Sequence, residues 1–279
     1  MFGICNLSIV PCRKEPSDKS EMITQLLFGE HFEVLDEKKS WVLIRIAYDG
    51  YECWIDKKQF SPISEKNIKS ISNTNTAVTT DLVQLAIPLS SPNEREKFIS
   101  VVLGSSLPYF QNKIFSLAKQ EFIFEGAVKF PFQKKKKNEN KVLSSDGNDL
   151  RLNGIADTAR WYLNTPYLWG GRSPFGIDCS GFTQMVFKLN GIKLFRDVWQ
   201  QARYGTTLSF LEEAQTGDLA FFDNKEGDFI HVGILLGNNK IIHASGKVHI
   251  DPLDHHGIFN EEMKKYTHSL RVVKRYLSF

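Results

Sequence analysis

Gly176-Ile177-Asp178-Cys179-Ser180-Gly181-Phe182 is the stretch from which the fold can be read. Pro174 to Asp178 resist helix formation. After Cys179, the residues Phe182, Val186 and Leu189 share one helical face, and Asn190-Gly191 stops the run. The spacing predicts a helix with Cys179 in its first turn. Unpaired N–H groups and the helix dipole there favour a thiolate, which is what a cysteine nucleophile needs. The competing reading is a small buried side chain on a core helix.

Downstream, apolar runs predict strands over 218–222, 231–236 and 240–244, the last two joined by Gly237-Asn238-Asn239. Such a hairpin brings His231 and His243 to one end of a sheet. One imidazole can then act as general base, while the other fixes its tautomer and orientation. Cys179, His231 and His243 are also zinc-ligand types, but no fourth Cys or His has convincing spacing and only Asp178 or a water could complete such a site. Upstream, 155–163 has the spacing of a short helix, ended before Thr165-Pro166. The last third therefore reads as α+β, a helix leading into an antiparallel sheet.

Before residue 150 the pattern is β. Runs at 6–10, 31–35, 41–46 and 51–55, with Asp49-Gly50 as a hairpin signal, suggest a small barrel. Residues 65–76 are polar and read as a boundary loop. Runs at 81–88, 98–103, 114–118 and 127–132 suggest a second barrel. Residues 133–149 read as a linker, with Lys134–Lys137 as a solvated charge block.

The chain has 279 residues, 42% hydrophobic and 24% charged, which argues against wholesale disorder. A net charge of +3 is too weak to imply nucleic acid. No apolar stretch approaches the ~18 residues of a membrane helix, and the N-terminus lacks the marks of a signal peptide. The expectation is a cytoplasmic protein, or a periplasmic or secreted one if a leader has been removed. Cys5, Cys12 and Cys53 lie in strand-like runs and read as buried hydrophobes rather than a disulfide framework.

Asp178-Cys179-Ser180-Gly181-Phe182, preceded by Thr165-Pro166-Tyr167-Leu168-Trp169-Gly170-Gly171, resembles the NlpC family of papain-like cell-wall cysteine peptidases. Gly217 to Phe222, His231 to Ile234 and Ile242 to Gly246 match its later blocks in order. Cys5 to Glu30 and Gly50 to Ile55 are similar to the first bacterial SH3-like domain of its γ-D-glutamyl-L-diamino acid endopeptidases. Leu103 to Pro108 resembles their second. The resemblance implies an α+β papain-like peptidase domain over 148–279, preceded by two small all-β SH3-like barrels over 1–64 and 75–133.

It further implies hydrolysis of the γ-D-Glu–L-Lys or γ-D-Glu–diaminopimelate bond in peptidoglycan peptides with free N-terminal L-Ala, as in cell-wall peptide recycling. By this resemblance Cys179 is the nucleophile, His231 the base, His243 the orienting residue and Tyr167 an oxyanion donor. Asp178 and Ser180 hold the substrate N-terminus. Glu21 and Tyr51 are the contributors from the first barrel, which closes one end of the groove in this branch. Arg196 and Asp197 face the diamino acid or a carboxylate. Val198 stands where a small polar residue is expected, and Cys53 where a glycine is usual. The partner implied is a murein peptide, met by a monomer without cofactor, metal, nucleic acid or membrane. A catalytically inert wall-peptide binding module and an amidase or acyltransferase of the same architecture are the alternatives.

Overall fold

Short runs of alternating burial give the N-terminal part seven antiparallel strands: β1 (Phe2–Ile4), β2 (Ile9–Arg13), β3 (Met22–Leu27), β4 (His31–Lys38), β5 (Trp41–Ile46), β6 (Glu52–Asp56) and β7 (Ser61–Ile63). They form one sheet in the order β3-β2-β6-β5-β4-β1-β7. The inward positions, among them Val10, Leu26, Phe32, Ile44 and Ile55, build its core. Cys5, Cys12 and Cys53 are free thiols in that core, as expected. The Asp49-Gly50 turn joins β5 to β6, with Gly50 at φ 75°.

The computed structural model describes residues 1–132 and 147–276. The run Lys134–Lys137 and most of the expected linker lie outside the described residues.

The expected boundary loop at 65–76 is instead a helix, α1 (Glu65–Asn73). Ser64 caps it by accepting the Asn67 N–H at 3.2 Å, and Lys69 pairs with Glu65 one turn away at 2.6 Å. Ile71 turns inward to a second core. Two apolar residues at helical spacing suffice there, although the polar composition suggested a loop.

Residues 77–129 form two small sheets. β8 (Ala77–Thr79), β11 (Ser106–Leu107) and β14 (Val128–Lys129) make one; β9 (Val83–Pro88), β10 (Ile99–Val102), β12 (Ile114–Leu117) and β13 (Gln120–Phe124) make the other. Phe115 and Phe122 stack between facing strands at 5.2 Å, and Phe28 meets Phe115 edge-on at 5.7 Å. β13 was not foreseen, and the expected strand 127–132 is reduced to β14.

Two compact units divide the chain. The first holds Met1–Lys134 together with Trp169–Pro174 and Gly191–Lys193; the second holds the rest. In the first unit Arg172, fully buried, donates to both oxygens of Glu30 at 2.9 and 3.0 Å and to the Gln25 carbonyl at 2.7 Å. Burial works against its charge, but Glu30 beside it raises its pKa. Gly170 has φ 76°, and a side chain there would strike the Met22 carbonyl.

The second unit contains α2 (Gly147–Arg160), α3 (Cys179–Leu189), α4 (Val198–Gln201), β15 (Thr206–Thr207), β16 (Leu219–Asp223), β17 (Phe229–Gly237), β18 (Lys240–Ser245), β19 (Lys247–Asp254), β20 (Gly257–Asn260) and β21 (Lys265–Arg275). Its sheet runs β15-β21-β16-β17-β18-β19-β20, and an added β20–β21 pairing closes the last six strands into a ring. The β17–β18 loop is Asn238-Asn239, both at positive φ, one residue shorter than expected. α3 ends at Asn190, as its sequence foretold, and every residue of it is buried. No described helix is long and apolar enough to cross a membrane.

Candidate active site

Asp178 ends the extended segment before α3 and caps the helix, its Oδ1 accepting the Gly181 N–H at 2.7 Å. Cys179 therefore occupies the first helical position, where the sequence put it. The expected thiolate is corrected. Burial, then the Asp178 carboxylate, push the Cys179 thiol up to about 12, outweighing the backbone N–H groups of Val232 and Ser180 and the charge of Arg196. At 6% exposure the residue has lost most of the water that would solvate an anion. The Val232 N–H places it against β17, beside the residue that follows His231 in the chain.

Strand register assembles the histidines. Gly233 on β17 pairs with His243 on β18, and His243 pairs with His249 on β19. His231 lies two residues before Gly233, and Asp251 two after His249, so both stand diagonally to His243 on one face. His231 Nε2 meets His243 Nδ1 at 2.9 Å, and His243 Nε2 meets Asp251 Oδ2 at 3.3 Å. Burial pushes the Asp251 carboxyl up, but the hydrogen bond from His243 and the neighbouring His249 and His243 imidazoles outweigh it and hold the group below its usual range. An ionised Asp251 accepts the His243 Nε2–H. His243 Nδ1 then accepts from His231 Nε2–H, and the lone pair of His231 Nδ1 is left for a proton from the thiol.

Burial, then the neighbouring imidazoles His243, His268 and His249, hold His231 well below 6.5. His268 stacks on its ring at 4.1 Å between centroids. The resting pair is thus a neutral thiol and a neutral imidazole.

Asp251 was not foreseen. Its signal is the alternation His249-Ile250-Asp251, which puts both polar groups on one strand face. Tyr167 is half-buried, and its N–H is tied to the Gly246 carbonyl in the β18–β19 turn at 2.8 Å. Burial, then the neighbouring Cys179 and the Asp178 carboxylate, raise its pKa, so its hydroxyl remains a donor.

The remaining candidates differ from expectation. Arg196 is 2% exposed and is committed to a buried pair with Asp178, donating also to Ser180 Oγ at 2.9 Å. It orders the Asp178–Ser180 corner, and the carboxylate it faces is that of Asp178. Asp197 is the N-cap of α4, with its N–H donated to Gln200 Oε1 at 3.0 Å; Val198 is the helix's first residue. In the first unit, Glu21 accepts the Trp169 Nε1–H at 2.8 Å and lies 3.6 Å from Lys14 Nζ. Tyr51 packs against the first core, half-buried. Among the described residues the cluster with metal-ligating geometry is His243, His249 and Asp251, and Cys179 is not part of it.

A helix-start thiol held against the strand that carries an oriented imidazole is the arrangement of a cysteine peptidase. Residues 164–270 match the NlpC/P60 family and residues 12–60 the bacterial dipeptidyl-peptidase SH3 domain. A γ-D-glutamyl-L-lysine dipeptidyl-peptidase of Bacillus cereus is 30% identical, over 88% of this chain and 74% of its own length. Dipeptidyl-peptidase 6 of Lysinibacillus sphaericus is 27% identical, over 89% and 91%. The crystal structure of an NlpC/P60 family protein from Bacillus cereus superposes over the whole of both chains with TM-score 0.79 at 22% identity. The chain belongs to the NlpC/P60 family, and its first sheet is an SH3-like barrel.

Proposed function

We propose that this peptidase cleaves the γ-D-Glu–L-Lys or γ-D-Glu–diaminopimelate bond of murein peptides that carry a free N-terminal L-Ala. The observation that carries the reading is the Cys179–His231–His243–Asp251 arrangement, in a chain whose relatives are named for that bond. His231 Nδ1 takes the thiol proton as Cys179 Sγ attacks the γ-carbonyl. The Tyr167 hydroxyl and the Cys179 N–H receive the oxyanion. His231 passes the proton to the leaving amine, then activates water to release the thioester.

The ammonium of L-Ala is assigned to Asp178 and Ser180. Since Arg196 already pairs with Asp178, recognition there depends on oxygen lone pairs more than on net charge. Resemblance alone supports Glu21 and Tyr51 as further contacts, residues 75–133 as a second SH3-like domain, and 148–279 as the peptidase domain. An acylated alanine would lose the charge and leave polar groups unpaired, so the substrates are released peptides, met in the cytoplasm during recycling.

The test is hydrolysis of L-Ala-γ-D-Glu-L-Lys and its diaminopimelate counterpart. Cleavage of at least one is expected, with complete loss in Cys179→Ala and a fall of at least about 10²-fold on N-acetylating the alanine, the scale of a lost polar match. Cleavage by Cys179→Ala would overturn the mechanism. Indifference to acetylation would favour an amidase with an open groove.

A further inference from the structure

His249 presents an electrostatic conflict. Its Nδ1 lies 2.8 Å from the Lys247 carbonyl, which can only accept, so the ring hydrogen of a neutral His249 sits on Nδ1. The Nε2 lone pair then points at Asp251 Oδ2, 3.1 Å away and also an acceptor. Two acceptors at that distance need a cation between them. A proton is one solution and a metal ion is another. His243 Nε2 lies 3.3 Å from the same carboxylate oxygen, and the three ligand atoms all lie within 4.8 Å of one another. Zinc bound at about 2.1 Å in tetrahedral geometry spaces its ligand atoms about 3.4 Å apart. Asp251 supplies one negative charge and the two imidazoles are neutral ligands. The His249 side chain keeps 22% of its surface exposed, which gives an ion a route in from solvent.

We infer that His243 Nε2, His249 Nε2 and Asp251 Oδ2 form a binding site for a divalent transition-metal ion of the zinc class, and that the bound ion switches the peptidase off. Binding needs no free energy from the substrate groove, and Cys179 is not a ligand. The inhibition follows from tautomers. Metal on His243 Nε2 takes that nitrogen's lone pair, so the ring hydrogen must sit on Nδ1. His243 Nδ1–H then donates to His231 Nε2, and the His231 hydrogen moves to Nδ1. Two hydrogens change nitrogen, and the proton that lies between His249 and Asp251 in the metal-free protein leaves to solvent as the ion takes its place. His231 now presents a donor to the thiol instead of a lone pair, and it cannot take the proton. This consequence rests on the proposed roles of Cys179 and His231; the binding does not.

The test uses the full chain, zinc chloride and three proteins: wild type, Cys179→Ala and His249→Phe. Calorimetry should find one zinc per chain in wild type and Cys179→Ala, and at least tenfold weaker binding in His249→Phe. Zinc should inhibit wild-type hydrolysis of the tripeptide reversibly, with recovery on adding EDTA. His249→Phe, measured against its own zinc-free rate, should need at least tenfold more zinc for the same fractional inhibition. No zinc binding to wild type would show that a proton alone fills the gap and would overturn the inference. Binding lost in Cys179→Ala, or unchanged in His249→Phe, would overturn it too, placing the ion elsewhere. If wild type shows no hydrolysis, the proposed function fails while calorimetry still decides the metal site.

Discussion

Cys179 and His231 form a pair whose proton affinities are set mainly by loss of water. Burial pushes the thiol up to about 12 and holds the imidazole well below 6.5, so both are neutral near pH 7. The sign is the reverse of an ion pair at rest, in which the thiolate persists down to acid pH. Alkylation of Cys179 by iodoacetamide is therefore expected to accelerate steadily as pH rises from 5 to 9, about tenfold per unit while the thiol remains mostly protonated. A plateau from pH 5 onward would show a resting thiolate and contradict the burial argument. The three central residues were legible because a helix start and a hairpin are local patterns. The protonation state was not, because desolvation depends on what packs over the sulfur. The partner of Arg196 was illegible for a similar reason: Asp178 lies 18 positions away, and nothing local says that the two charges neutralise each other.

Strand register does the work of bringing His231, His243 and Asp251 into line. The residue opposite His243 is Gly233, and a β-carbon there would come within 2.9 Å of His243 Cβ and 2.6 Å of the Ile241 side chain. The Ile241 terminus can swing aside, but His243 Cβ is fixed to its strand. Gly233→Ala is thus expected to displace His243 from His231 and lower kcat by about 10²-fold, the usual worth of positioned acid–base catalysis, with KM little changed. An unaltered kcat would show that β18 gives way without moving the ring. Alternation announced β17 and β18, yet β19 and β21 passed unread. Their polar residues on the outer side of the ring mimic exposed coil, and only the β20–β21 closure reveals why they are strands. α1 was hidden in the same way, its two isoleucines outnumbered by polar neighbours.

At the scale of the molecule, the segment Trp169–Pro174 belongs to the first unit although the sequence sets it between Tyr167 and Cys179. Arg172 is the reason: its guanidinium is buried with Glu30, 4% exposed. Removing the carboxylate would leave a cation without its counter-charge in a place water does not reach. Glu30→Ala is expected to destabilise the protein by about 3–5 kcal/mol, measured by urea unfolding. A loss under about 1 kcal/mol, the value of an exposed pair, would mean that solvent enters. Neither residue declared this in the sequence, since a pair joined across 142 positions has no local signature.

That buried pair also sets an order of events. The chain is synthesised from its N-terminus, and domains generally fold as they emerge. The strand bearing Gln25 and the turn bearing Glu30 leave the ribosome long before Arg172 exists, so they stand ready as a mould when Trp169–Pro174 appears. The barrel acts as a chaperone in cis for the loop that leads to the nucleophile, and a permuted chain that delivered the barrel last would mature more slowly.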